Sequence, residues 1–102
     1  ILELGHTDAD VFIDYGELLF DLCEFEEGME ILYDGIQENP DSAEMNYRIC
    51  GYLFALEEVD EALVYFKKAL KLNPERKSYF FELFPQLKIQ KDIIKVLNGL
   101  GL

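Results

Sequence analysis

Residues Ala43–Pro74 read AEMNYRICGYLFALEEVDEALVYFKKALKLNP. Two apolar-periodic runs, Met45–Leu56 and Val59–Leu72, flank the acidic turn Glu57-Glu58, and Asn73-Pro74 closes the stretch. Spacings of three and four residues put the apolar side chains of each run on one face of a helix. Ile49, Cys50 and Leu53 of the first helix are expected to meet Ala62, Phe66 and Ala69 of the second. Small residues let two helices cross closely, and Phe66 fills the gap between them. Asp41 or Ser42 can cap the first helix by accepting its free backbone N–H groups. Lys67, Lys68 and Lys71 stand in the last turns of the second, where positive charge complements the helix dipole. A second Asn-Pro pair, Asn39-Pro40, lies 34 residues before the first. A fixed period of this length between like punctuation marks is the signature of a helical repeat.

The same grammar extends outward. Upstream, residues 10–22 read as a helix with Val11, Phe12, Tyr15, Leu18, Leu19 and Leu22 as its apolar stripe. Cys23-Glu24 is the turn, and a partner helix follows from Phe25 to Gln37, with Met29, Ile31, Leu32 and Ile36 inward. Gly28 and Gly35 lie on it seven residues apart, although glycine inside a helix costs about 1 kcal/mol against alanine. Their recurrence on one face predicts a close approach of the neighbouring helix. Proline stops this helix at Asn39-Pro40. Ile1–Leu4, shifted by two periods, falls on Ala69–Leu72, so the chain is expected to start inside the closing helix of an upstream unit. His6 reads as a turn residue, with no second His or Cys cluster beside it. Thr7 or Asp8 can cap the helix that follows.

Downstream the pattern decays. Tyr79–Phe84 opens like another first helix, but Pro85 interrupts it. A shorter helix is expected over Lys91–Asn98, with Gly99 as its stop. Its apolar residues and the aromatic run read as a cap over the core of the last unit.

Residues 9–42 and 43–76 resemble two tetratricopeptide repeats. The second unit carries the resemblance with Ile49, Cys50, Leu53, Ala62, Phe66, Ala69 and Pro74, departing at Asn46, where a Trp-like residue is usual. The first carries it with Phe12, Gly16, Leu19 and Pro40, and departs with Gly28 and Gly35 for alanines and Leu32 for Phe. Residues 77–102 are then a degenerate third helix pair, whose ending is similar to those of some bacterial multi-repeat members. The resemblance implies an all-α fold, a right-handed α-solenoid of antiparallel helix pairs. It also implies a non-catalytic scaffold for protein–protein interaction, with a concave face made by the first helix of each pair. The residues it places there are Asp10, Ile13, Asp14, Glu17, Phe20 and Asp21, then Glu44, Tyr47, Arg48, Gly51, Phe54 and Ala55, then Ser78, Phe81 and Glu82. Some members hold a partner's C-terminal carboxylate there with Lys and Asn. Here Ile13, Glu17, Arg48, Ser78 and Glu82 occupy those places, and that clamp is missing.

Composition narrows the partner. The chain has 102 residues, half of them hydrophobic, with 21 acidic and 9 basic side chains. Residues 1–47 hold 14 of the acids and none of the Lys or Arg. Phosphates would be repelled by that half, which speaks against nucleic acid. An acidic groove beside Ile13, Phe20, Tyr47 and Phe54 suits a basic, partly apolar protein segment. The rival expectation is that these apolar residues pack on an upstream unit or a second copy, making the chain a structural cap or self-association segment.

No catalytic, cofactor or metal pattern is found. There is no Gly-rich phosphate loop or nucleophile elbow, and the acid pairs Glu26-Glu27 and Glu57-Glu58 belong to exposed turns. The two cysteines, Cys23 and Cys50, are separated by about half a helix length, on the order of 10 Å, too far for an easy bridge. Reduced cysteines favour a cytoplasmic setting. No apolar run reaches transmembrane length.

Overall fold

The computed structural model describes residues 9–102. The expectations for residues 1–8, including the turn at His6 and the caps Thr7 and Asp8, lie outside the described residues. Six helices run along the chain: α1 (Ala9–Asp21), α2 (Phe25–Glu38), α3 (Ala43–Ala55), α4 (Val59–Leu72), α5 (Lys77–Leu83) and α6 (Lys91–Leu100). Short 3-10 turns at Pro74–Arg76 and Pro85–Ile89 bracket α5. Among the described residues there is no strand, and the helices pack in sequential antiparallel pairs.

The two long pairs are built by one local scheme. Leu22 N–H donates to the Leu18 carbonyl (3.0 Å), Cys23 N–H to Phe20 (3.0 Å) and Glu24 N–H to Leu19 (2.8 Å). Thirty-four positions on, Leu56 N–H donates to Tyr52 (3.1 Å), Glu57 N–H to Phe54 (3.0 Å) and Glu58 N–H to Leu53 (2.8 Å). Both turns hold one residue in the left-handed region, Cys23 (φ 63°) and Glu57 (φ 65°). These bonds satisfy the orphan carbonyls at each helix end and reverse the chain within two residues. At the far ends, Asn39 N–H donates to Gly35 and Asn73 N–H to Ala69. Ser42 caps α3, its Oγ accepting from Met45 N–H at 3.2 Å.

The core follows the expected residues in the second pair: Ile49, Cys50, Leu53, Ala62, Phe66 and Ala69 are all buried. Leu32 fills the corresponding place in the first pair and is also buried. The glycines of α2 do bring helices together. A Cβ on Gly35 would stand 2.6 Å from Phe12 Cβ and 2.7 Å from Met45 Cε, and one on Gly28 would stand 2.6 Å from Phe20. Real atoms do not approach so closely, so α1 lies on α2 at a distance only glycine permits. At the matching places of α4 stand Ala62 and Ala69.

Three expectations need correction. The stripe expected to pack α1 splits in two: Phe12, Ile13 and Gly16 are buried, while Val11, Leu18 and Leu22 are exposed at 44, 52 and 61 %. Both sides of α1 are apolar, and the side chosen by the glycines of α2 is the one carrying Phe12 and Gly16. Next, α6 continues past Gly99 and stops at Gly101, which takes the left-handed conformation (φ 76°) and lets Leu102 N–H reach the Leu97 carbonyl. Finally, α2 extends one residue further, to Glu38.

Pro85 ends α5 as expected, and the chain continues as a 3-10 turn. Phe80 and Ile93 enter the core, with Phe84, Val96 and Leu97 partly buried against it. Phe80 lies between Phe66 (5.6 Å between centroids) and Phe84 (5.5 Å), which ties α5 to α4.

Candidate functional site

α3 contacts α1 and α5, and these three helices carry all eleven candidate groove residues. The structure divides them by burial. Asp10, Asp14 and Asp21 are exposed along one side of α1, and Glu17 fills the turn between Asp14 and Asp21 with its side chain 46 % exposed. Phe20, Phe54 and Phe81 are partly buried, packed against the core with one side toward solvent. Ile13, Tyr47, Arg48 and Gly51 lie in the interior instead of lining an open surface. Tyr47 packs against Phe66 and Phe80 and donates its hydroxyl to the Asn73 carbonyl at 2.8 Å. The Phe84 ring covers Gly51 so closely that no Cβ would fit. Of the flanking positions, Ala55, Ser78 and Glu82 are exposed and Glu44 is partly buried.

An aromatic ladder joins the three helices. Phe20 of α1 stacks on Tyr52 of α3 with centroids 4.0 Å apart, and Tyr52 meets the edge of Phe84 at 5.5 Å. Tyr52 was not among the expected site residues. Gly51 makes room for Phe84, the ring that Tyr52 meets.

Charge on this face is partly neutralised. The Arg48 guanidinium reaches Glu44 (3.1 Å) on its own helix and Glu17 (3.7 Å) on α1. Glu44 also pairs with Arg76. Arg48 is buried and directed at Glu17 and Glu44, while Asp10, Asp14 and Asp21 have no ion pair among the described residues. Burial pushes the Tyr47 hydroxyl up to about 12 from 10.0. Burial likewise raises the Cys50 thiol above its ordinary value, which keeps it protonated and unreactive. Cys23 is exposed in its turn, and the two cysteines are not bridged.

A separate concavity lies elsewhere. An open cleft of about 770 Å³ separates the C-terminal half of α4 from α6. Its floor is apolar, with Leu70, Val96 and Leu100, and Lys67, Lys68, Lys71 and Lys95 stand around it. Lys68 Nζ sits 5.3 Å from the Tyr65 ring centroid, while Lys67, Lys71 and Lys95 make no ion pair among the described residues. The sequence signal was a run of lysines beside Leu70, and the helix dipole accounted for it without a cleft.

Among the described residues no three His, Cys, Asp or Glu side chains are grouped to hold a metal ion, and no helix is long and apolar enough to cross a membrane. Compared with protein-family models, curated proteins and solved structures, the chain has no match in any of the three.

Proposed function

We propose that this chain is a non-catalytic interaction module, a short helical solenoid of the tetratricopeptide type, that holds a basic, partly apolar protein segment against α1, α3 and α5. The observation that carries the reading is the row Asp10, Asp14 and Asp21, without ion pairs among the described residues, on the helix that also bears partly buried Phe20. Carboxylates in this arrangement attract Lys and Arg, and the aromatic edges of Phe20, Phe54 and Phe81 take apolar side chains between them. The solenoid part of the reading rests on the recurrence, 34 residues apart, of the same turn hydrogen bonds with the same left-handed residue. The two unbridged cysteines fit a cytoplasmic setting.

Titration with a helical Lys/Leu peptide of about twelve residues tests this reading, since a peptide of that length spans α1. Asp10→Lys/Asp14→Lys/Asp21→Lys is expected to weaken binding at least tenfold. The same number of reversals on α2, at Glu26, Glu27 and Glu30, is expected to change it far less. Equal losses from the two sets would mean that net charge alone attracts the peptide, and the reading would be wrong.

A further inference from the structure

We infer that copies of this chain associate head to tail, the outer face of α1 in one copy seating in the lysine-rimmed cleft between α4 and α6 of the next. The two surfaces match in apolar character and oppose in charge. On α1, Val11, Leu18 and Leu22 recur at seven and four residues and form one exposed stripe, a face that no described helix covers. The stripe lies in the half of the chain that contains no Lys or Arg, and Asp14 and Asp21 adjoin it. The cleft offers an apolar floor of matching kind, with Val96 and Leu100, inside a rim of Lys67, Lys71 and Lys95 whose charges no described carboxylate pairs. A helix laid in the cleft buries its leucines on the floor and sets its acids beside the rim.

Because the stripe and the cleft are different surfaces, the contact is heterologous. Each added copy presents a fresh stripe or a fresh cleft, so association continues beyond the dimer unless the rotation closes a ring. The carboxylates Asp14 and Asp21 are shared with the proposed peptide face, whereas Leu18 and Leu22 lie off it. Failure of one proposal is therefore distinguishable from failure of the other.

Sedimentation equilibrium of the 102-residue chain and two variants provides the test. The wild-type mass is expected to rise with concentration past the dimer, and less steeply in about 1 M salt, where charge attraction is screened within about 3 Å. Leu18→Ser/Leu22→Ser destroys the stripe and leaves the cleft; Lys67→Glu/Lys71→Glu/Lys95→Glu does the reverse. Each alone is expected to be monomeric, with association weakened at least tenfold. Mixed, they retain one good stripe and one good cleft between them, and a 1:1 dimer that grows no further is expected. All five side chains are exposed, and unchanged helical circular dichroism checks the fold; a variant that fails this check is replaced by Leu18→Gln or by Lys→Gln at the same sites. A monomeric wild type overturns the inference, and dodecanoate binding to that monomer would assign the cleft to a small anionic amphiphile. Dimers of the lysine variant alone would also overturn it, because they would show α1 pairing with itself.

Discussion

The hydroxyl of Tyr47 donates to the backbone carbonyl of Asn73 across 2.8 Å, fastening the middle of α3 to the residue that ends α4. The Tyr47 ring is buried against Phe66 and Phe80, and its polar tip is thereby brought to the carbonyl of the residue that caps α4, which Arg76 N–H also reaches at 3.3 Å. Tyr47→Phe keeps the ring contacts and leaves that carbonyl only the longer bond from Arg76 N–H (3.3 Å). A loss of about 1–2 kcal/mol in urea unfolding is expected.

The same tyrosine sets a limit at high pH. Its folded value, about 12, lies above the ordinary 10.0, so the folded state keeps a proton that the unfolded state gives up. The stability this contributes is complete below pH 10 and is lost as pH rises through 12. Burial also raises Tyr33, Tyr52 and Tyr65. Helical signal and tyrosinate absorbance are expected to change together in this window. A helical signal unchanged after tyrosinate absorbance has reached its plateau would refute the coupling.

Two glycines of the helices should respond oppositely to alanine. Gly35→Ala drives a Cβ into Phe12 Cβ, which is anchored to the backbone of α1 and cannot turn away. A loss of about 1–3 kcal/mol from overpacking is expected, exceeding the gain of about 1 kcal/mol in helix propensity. Gly99→Ala meets nothing within 4 Å and should stabilise by about 0.5–1 kcal/mol. Thermal melts of the two variants decide the matter by their order around the wild type.

The left-handed turn at Glu57 (φ 65°) is strained for any residue with a Cβ. Glu57→Gly is expected to gain about 1 kcal/mol, a rise of about 4–8 °C in midpoint for a domain of this size. Cys23→Gly, at the equivalent turn, should behave alike. A lowered midpoint for both would mean that the side chains hold the turns in some other way.

Charge neutralisation should separate the two glutamates that Arg48 reaches. Glu44 accepts from Arg48 and Arg76 and its side chain is 19 % exposed, so Glu44→Gln is expected to cost about 1 kcal/mol. Glu17 is half exposed at 3.7 Å, and Glu17→Gln should fall within about 0.5 kcal/mol of wild type. Denaturant midpoints at low and high salt would separate the effects, the first being the less salt-sensitive.

Much of this architecture was legible because α3 and α4 obey one period and are bounded by Ser42, the Glu57 turn and Asn73-Pro74. The orientation of α1 was harder to read. Val11, Tyr15, Leu18 and Leu22 form one apolar stripe and Phe12, Gly16 and Leu19 another, and period alone does not say which meets the core. That choice depends on Gly28 and Gly35 of a different helix. The end of α6 was misplaced for a related reason: Gly99 and Gly101 are alike in sequence, and only the backbone angle at Gly101 distinguishes the stop. For the groove, helical spacing located the acids of α1 correctly. It could not foresee that Phe84, just past the end of α5, would fold over Gly51 and close that part of the surface. The basic cleft combines Lys67 and Lys71 with Lys95, which become neighbours only when α6 returns to α4.

α3 is buried from Met45 through Leu53 and touches α1, α2, α4 and α5. Most other elements meet mainly what precedes or follows them. In kinetic terms α3 is the keystone of the opening order: detaching α1 or α6 uncovers few elements, whereas release of α3 uncovers α1, α2, α4 and α5 together. Amide hydrogens of α3 should therefore exchange only through global unfolding, and those of α1 and α6 through cheaper, separate excursions. The stripe on α1 and the α6 wall of the cleft belong to those helices, so copies that join would slow the exchange of the segments that open most easily.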